Sequence, residues 1–142
     1  ATTGGQELGP AFQVLFYPWL DLTSKRRSYS LFREGFYLTE ADLDWYRGQY
    51  LNDEADAQDP RCSPLRSEQL DGVAPAYVST AGFDPLRDEG EEYAGRLREG
   101  GVHVAIHRQA GLIHGFANTI SIGRVGREAV LQAAGALRVG LG

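Results

Sequence analysis

The sequence predicts an α/β chain with a parallel sheet, and three observations carry that prediction. Residues 12–17, 76–83 and 102–108 are apolar runs of strand length. A helical stretch, residues 86 to about 99, separates the second run from the third, and another helical stretch, about 125–139, follows the third. Strand, helix, strand, helix is βαβ organisation. Its crossovers demand parallel strands, right-handed connections and helices flanking the sheet.

Each element has its own justification. Residues 12–17 (Phe-Gln-Val-Leu-Phe-Tyr) are apolar on both alternating faces, as in a strand covered on both sides, and Pro18 ends the run. Residues 19 to about 37 are irregular and aromatic. Thr39 is a helix N-cap with Asp42 three residues on, close to a capping box, and Leu38 and Leu43 stand at the hydrophobic-staple positions. Leu43, Tyr46 and Tyr50 fall at i, i+3 and i+7 and predict one apolar face. Acidic residues and Pro60 mark a loop through Ser63-Pro64. The second strand, Ala76–Phe83, ends at Asp84. In the next helix Asp88, Glu89, Glu91 and Glu92 crowd the start while Arg96 and Arg98 sit near the end, matching the macrodipole. Tyr93, Ala94 and Leu97 form its inner stripe, and Gly100-Gly101 terminates it. The third strand alternates Val102, Val104 and Ile106 against His103, Ala105 and His107. The last helix repeats Val125, Ala129, Ala133 and Leu137 at a spacing of four.

Composition narrows the function classes. At 142 residues, 42% hydrophobic and 23% charged, this is one globular domain's worth of chain. No apolar stretch approaches the roughly 20 residues that span a bilayer. Residues 1–6 have neither a basic nor an apolar signal-peptide region. The absence of any Met fits a piece of something longer, and the wealth of Gly, Arg and Ala suggests a bacterial source. One cysteine, Cys62, excludes an internal disulfide and suits a reducing cytoplasm. A net charge of −5 argues against nucleic acid or anionic lipid as a partner, and Lys25-Arg26-Arg27 reads as a solvated loop.

Two residues stand out for chemistry. Asp84, before Pro85, is a good helix N-cap. It is also an acid at the C-terminal end of a central strand, where open α/β sheets place their sites. His114, in a loop between Gly111 and Gly115, is an ordinary surface polar residue if taken alone. Together they match the order of the last two members of a Ser…Asp…His triad, an acid after one strand and a histidine after the next. The nucleophile is missing: no G-x-S-x-G and no H-G-G loop occurs in the chain. Ser121 lacks the flanking pattern and follows the histidine. Nothing near Cys62 activates it, and no acid or cysteine joins His103 and His107 as metal ligands. No metal or cofactor is expected.

Several motifs resemble the bacterial hormone-sensitive-lipase family of α/β-hydrolases: Phe16-Tyr17-Pro18, Gly35-Phe36-Tyr37-Leu38-Thr39, Ser63-Pro64-Leu65, Asp84-Pro85-Leu86-Arg87-Asp88-Glu89-Gly90, Tyr93-Ala94 with Leu97, and His114-Gly115-Phe116. The resemblance runs from about Phe12 to Leu141 and implies the C-terminal half of a three-layer αβα α/β-hydrolase fold, lacking the N-terminal half of its sheet. It makes residues 1–142 a single partial domain, with about 19–51 resembling part of the cap over an acyl pocket. It assigns Asp84 as triad acid, His114 as triad base, and Trp19, Phe32, Phe36 and Tyr37 as pocket or cap residues, with core packing an equal reading of those four. The implied parent is an esterase or lipase of short to medium acyl esters, and this chain is inactive alone. The alternative is a non-catalytic binding or interaction protein on the same fold. Because residues 12–17 suit a sheet interior, the chain is also expected to self-associate through an exposed strand edge.

Overall fold

The computed structural model describes residues 9–142; the reading of residues 1–6 lies outside them. The chain runs β1 (Gln13–Phe16), α1 (Arg27–Leu31), α2 (Glu40–Tyr50), β2 (Ala76–Phe83), α3 (Arg87–Glu99), β3 (Val104–Ile113) and α4 (Arg124–Gly140). Short 3-10 turns stand at Glu54–Gln58, Pro64–Arg66 and Phe116–Thr119. The sheet order is β1-β2-β3 and both pairings are parallel.

β2 is central, and every residue in it except Phe83 is buried. Its period of two sends Ala76 and Val78 to one face, where they pack with Tyr93, Ala94 and Leu97 of α3 and with Leu20, Leu65 and Leu70. Ala81 faces the other way, against Phe116 and Ala129 of α4. The result is three layers: α3, sheet, α4. Burial of Leu97 alone contributes roughly 1.5–3 kcal/mol. The charges at the ends of α3 also fasten its neighbours. Arg96 donates to the carbonyls of Leu65 and Ser67, and Glu91 pairs with Arg108 of β3.

Local sequence signals explain the rest. Thr39 and Asp42 close a full capping box on α2, each side chain accepting from the other's backbone N–H. Leu38 and Leu43 are buried together with Tyr29 and Leu86. Ser63 is fully buried, taking the Leu22 N–H and giving its hydroxyl to the Ala57 carbonyl. That pair of bonds seats the Ser63-Pro64-Leu65 turn.

Several expectations are corrected. The apolar face of α2 ends at Leu43, because Tyr46 and Tyr50 are exposed. On α4 only Ala129 and Ala133 of the spaced set are buried; Val125 and Leu137 face solvent in part. β3 begins two residues later than predicted and runs five further, so Gly111 lies inside the strand and makes no turn. β1 is shorter than the predicted 12–17 and each of its four residues is half-buried instead of covered on both faces, while its place at a sheet edge among the described residues is the one expected. Asp84 is not the N-cap of α3: that position is Leu86, without a side-chain cap bond.

Candidate active site

Strand register brings the two candidate residues together. Ala81 lies opposite Gln109, but Phe83 lies opposite Ile113, so β3 gains two residues over β2 in this interval. Without that shift Asp84 would stand opposite Leu112. With it, Asp84 and His114 are the next residues on neighbouring parallel strands. Gly82 permits the irregularity, since a Cβ there would lie 2.1 Å from the Ala110 carbonyl oxygen.

Asp84 is fully buried and divides its carboxylate. Oδ1 accepts the Leu86 N–H at 2.8 Å, and the Asp84 carbonyl accepts from Arg87. These are the bonds of a local turn that starts α3. Oδ2 lies 2.9 Å from His114 Nδ1. A carboxylate can only accept, so the proton of that bond belongs to Nδ1, and Nε2 is left as the basic nitrogen.

The imidazole, 20% exposed, has aromatic walls. The Tyr17 ring centroid is 4.4 Å away and tilted by 55°, and the Phe116 ring meets Tyr17 edge-on at 5.1 Å. Burial pushes the Tyr17 hydroxyl above its ordinary pKa, against a hydrogen bond at the Ala117 backbone and with the Asp84 charge adding to the rise. Gly115 turns the chain after the histidine with φ +81°, a region open to glycine. Tyr17 and Tyr37 also have positive φ, at a cost of roughly 1–3 kcal/mol each.

His114 opens on a cavity of about 370 Å³ lined by Phe16, Tyr17, Trp19, Leu38, Leu43, Tyr46 and Leu86 among others. A second apolar cavity, about 570 Å³, shares Trp19 and Tyr46 and reaches Tyr50 and Cys62. The Trp19 indole N–H is buried without a partner among the described residues. Of the four predicted pocket residues, Trp19 therefore lines the cavity with His114, while Tyr37 touches Gly115 from outside it. Phe32 and Phe36 go elsewhere. They cluster with Phe83, rings 5.3–5.7 Å apart, under the Arg87 guanidinium.

Behind the cavity wall lies a polar anchor. The fully buried Glu89 of α3 accepts from the backbone N–H groups of Leu20 and Asp21 and from the Tyr29 hydroxyl. Burial raises its pKa to about 8 against these bonds, and burial likewise raises that of Tyr29. Asp21 is held at about 2: burial opposes ionisation, but bonds from Thr23, Arg26 and Ser24 outweigh it. On the same side Ser28 donates from its backbone to Asp88 and from its hydroxyl to the Pro85 carbonyl, tying α1 to the start of α3. In the sequence Glu89 reads as a helix-start charge within the Asp84–Gly90 motif, and Tyr17 as part of the first strand and of Phe16-Tyr17-Pro18. Glu89's place on the buried side of α3, one turn before Tyr93, was the available signal. His103, just before β3, and His107 within it are both exposed, and no cluster of three metal-ligating side chains exists among the described residues.

A family model for the alpha/beta hydrolase fold matches residues 1–118. The chain belongs to the α/β-hydrolase fold family, in its hormone-sensitive-lipase branch. This α/β-hydrolase chain is 50% identical over 115 residues to a carboxylic ester hydrolase of Mycobacterium tuberculosis, which covers 80% of the chain and 31% of the relative. It is 35% identical over 129 residues to an ethyl acetate hydrolase of Pseudomonas putida, covering 91% and 41%. Among solved structures, a thermostable esterase from Pseudomonas putida superposes with a TM-score of 0.88 at 39% identity, over 93% of this chain and 43% of that one. The chain thus spans about a third to two-fifths of the curated relatives it matches. No helix among the described residues is long and apolar enough to cross a membrane.

Proposed function

We propose that this chain supplies the acid and base of a Ser-His-Asp carboxylic ester hydrolase acting on short to medium acyl esters. The observation that carries the proposal is the 2.9 Å contact between His114 Nδ1 and the fully buried Asp84, at the C-terminal ends of adjacent parallel strands and beside an apolar cavity. The names of the esterase relatives agree with it. In this reading a serine from outside the chain attacks the ester carbonyl while His114 Nε2 takes its proton. His114 then protonates the departing alcohol, Asp84 holds the Nδ1 tautomer and stabilises the imidazolium, and water repeats the sequence to release the acid. Trp19 and Tyr46 line the space for the apolar part of the substrate, and residues 19–51 serve as part of its cap. No metal or cofactor takes part. The free, half-buried Cys62 suits a reducing cytoplasm.

The nucleophile is the member the chain lacks, and triad members act as a unit. The chain alone is therefore expected to leave p-nitrophenyl butyrate at the buffer rate. Substituted for the matching segment of the Pseudomonas putida ethyl acetate hydrolase, it should restore saturable hydrolysis. In that chimera His114→Ala is expected to lower kcat by about 10³-fold or more, with Asp84→Asn no more severe. A folded chimera that hydrolyses the ester equally well with His114→Ala would sink the proposal.

A further inference from the structure

Tyr17 and Tyr37 are the described residues other than glycine with positive φ, at +37° and +77°. Twenty residues apart in sequence, they converge on one corner of the fold. Tyr17 follows the last residue of β1 directly and precedes Pro18, a position where the chain ordinarily stays extended. Its backbone N–H still pairs with the Ser79 carbonyl at 2.7 Å, so the departure happens within one residue of the sheet. Its ring lies 4.4 Å from the His114 imidazole. Tyr37 reaches the adjacent residue: a Cβ placed on Gly115 would lie 3.2 Å from Tyr37 Cε1. Tyr37 is largely exposed, so core burial does not account for its strained backbone. Strain of this kind persists where the surroundings over-determine it, and it gathers at functional sites.

We propose that Tyr17 and Tyr37 are positioning residues that clamp the His114-Gly115 corner, one ring on the imidazole and one over the glycine, so that Nδ1 stays on Asp84. The corner needs such support. It lies just past the end of a strand, and the Asp84 bond fixes one ring nitrogen but not the tilt of the ring about it. Tyr17 supplies an aromatic face beside the ring, itself braced edge-on by Phe116. Tyr37 closes the side from which Gly115 would otherwise be free to move.

The proposal gives His114 the role of base and so rests on the esterase reading, but it is tested without hydrolysis. The chain has three histidines, so selective 15N-histidine labelling gives a simple spectrum, with His114→Gln assigning the bonded Nδ1 proton. Solvent exchange of that proton is then compared among variants whose other resonances report an intact fold. Tyr17→Phe should match the parent chain. Tyr17→Leu and Tyr37→Gly, the latter keeping the backbone turn without strain, should each speed exchange by about two- to tenfold, the range of a lost aromatic contact. If Tyr17→Leu does not fold, Tyr37→Gly decides. Exchange unchanged in the folded variants overturns the clamp, and so does a Tyr17→Phe chain that loses the proton, since the hydroxyl and not the ring would then be at work. Failure of the chimera to hydrolyse esters would strike the proposed function and leave this result standing.

Discussion

Replacing Glu89 with glutamine should remove a pH dependence of stability from this chain, and its size follows from the burial of one carboxyl. Glu89 has no solvent exposure, and burial raises its pKa from 4.5 to about 8. The folded state therefore holds the Glu89 proton more tightly than the unfolded chain does. Below pH 4.5 both states bind it and the stability from this group is complete. As pH rises the unfolded chain releases the proton first, so folding loses stability through the window up to about pH 8. At 1.36 kcal/mol for each unit, the loss integrates to roughly 5 kcal/mol. Three donors point at the carboxyl, and Arg26 adds a favourable charge, but desolvation outweighs them. A glutamine amide oxygen can keep both backbone bonds from Leu20 and Asp21 and carries no charge at any pH. The assay is urea unfolding of the parent chain and Glu89→Gln at one chain concentration, from pH 4.5 to 8.5. The difference between the two free energies should swing toward the glutamine variant by several kcal/mol as pH rises. Asp21, held at about 2, titrates below the window, and the three histidines are common to both chains. Parallel curves would refute the reasoning, because Glu89 would then be ionised in the folded state throughout.

Two further outcomes are expected. Gly82→Ala should destabilise the chain by about 1–3 kcal/mol and shift the His114 imidazole resonances, because its Cβ would collide with the Ala110 carbonyl where β3 gains its extra residues; unchanged resonances would separate the bulge from the site. The chain should run as a dimer or larger in size-exclusion chromatography with light scattering at micromolar concentration, since β1 has one pairing edge free among the described residues and no Lys, Pro or charge between Ala11 and Tyr17 guards it; a clean monomer with cooperative unfolding would show that the edge is protected.

Much of the fold could be read because local signals and burial agreed. β2 matches the apolar run 76–83 residue for residue, and the Thr39–Asp42 box fixes the start of α2. Where the two parted, the reading failed. Tyr46 and Tyr50 keep helical spacing with Leu43 but face a cavity and not a core, and spacing alone cannot tell these apart. The sequence predicts the third strand only to Arg108, and Gln109-Ala110-Gly111 does not continue the apolar alternation. The strand continues there on backbone pairing, with Gln109 buried beside Ser79 and Gln132 instead of an apolar side chain. For Phe32 and Phe36 the family resemblance leaves a pocket or cap place and core packing as equal readings. Their stacking on Phe83 is a tertiary choice that no short-range pattern announces.

Asp84 is the residue at which two readings of the sequence meet, a turn former ahead of a helix and a partner for a histidine. A residue before proline at a strand end can cap a helix or face a histidine, and the order of Asp84 and His114 on successive strands favours the second reading. The carboxylate has two oxygens: Oδ1 takes the Leu86 N–H in the turn that leads into α3, without being its N-cap, and Oδ2 faces His114. The turn bond fixes the orientation in which the second oxygen meets the imidazole, so local structure serves the site instead of competing with it. The same holds for the partner. His114 faces Asp84 only because the register moves by two residues after Ala81, and that shift depends on a glycine two positions before the acid. Gly82, Asp84, Gly115 and the strained Tyr17 are thus parts of one geometric solution. The motifs of the sequence point to Asp84 and His114, while the residues that align the pair carry no chemical signature of their own.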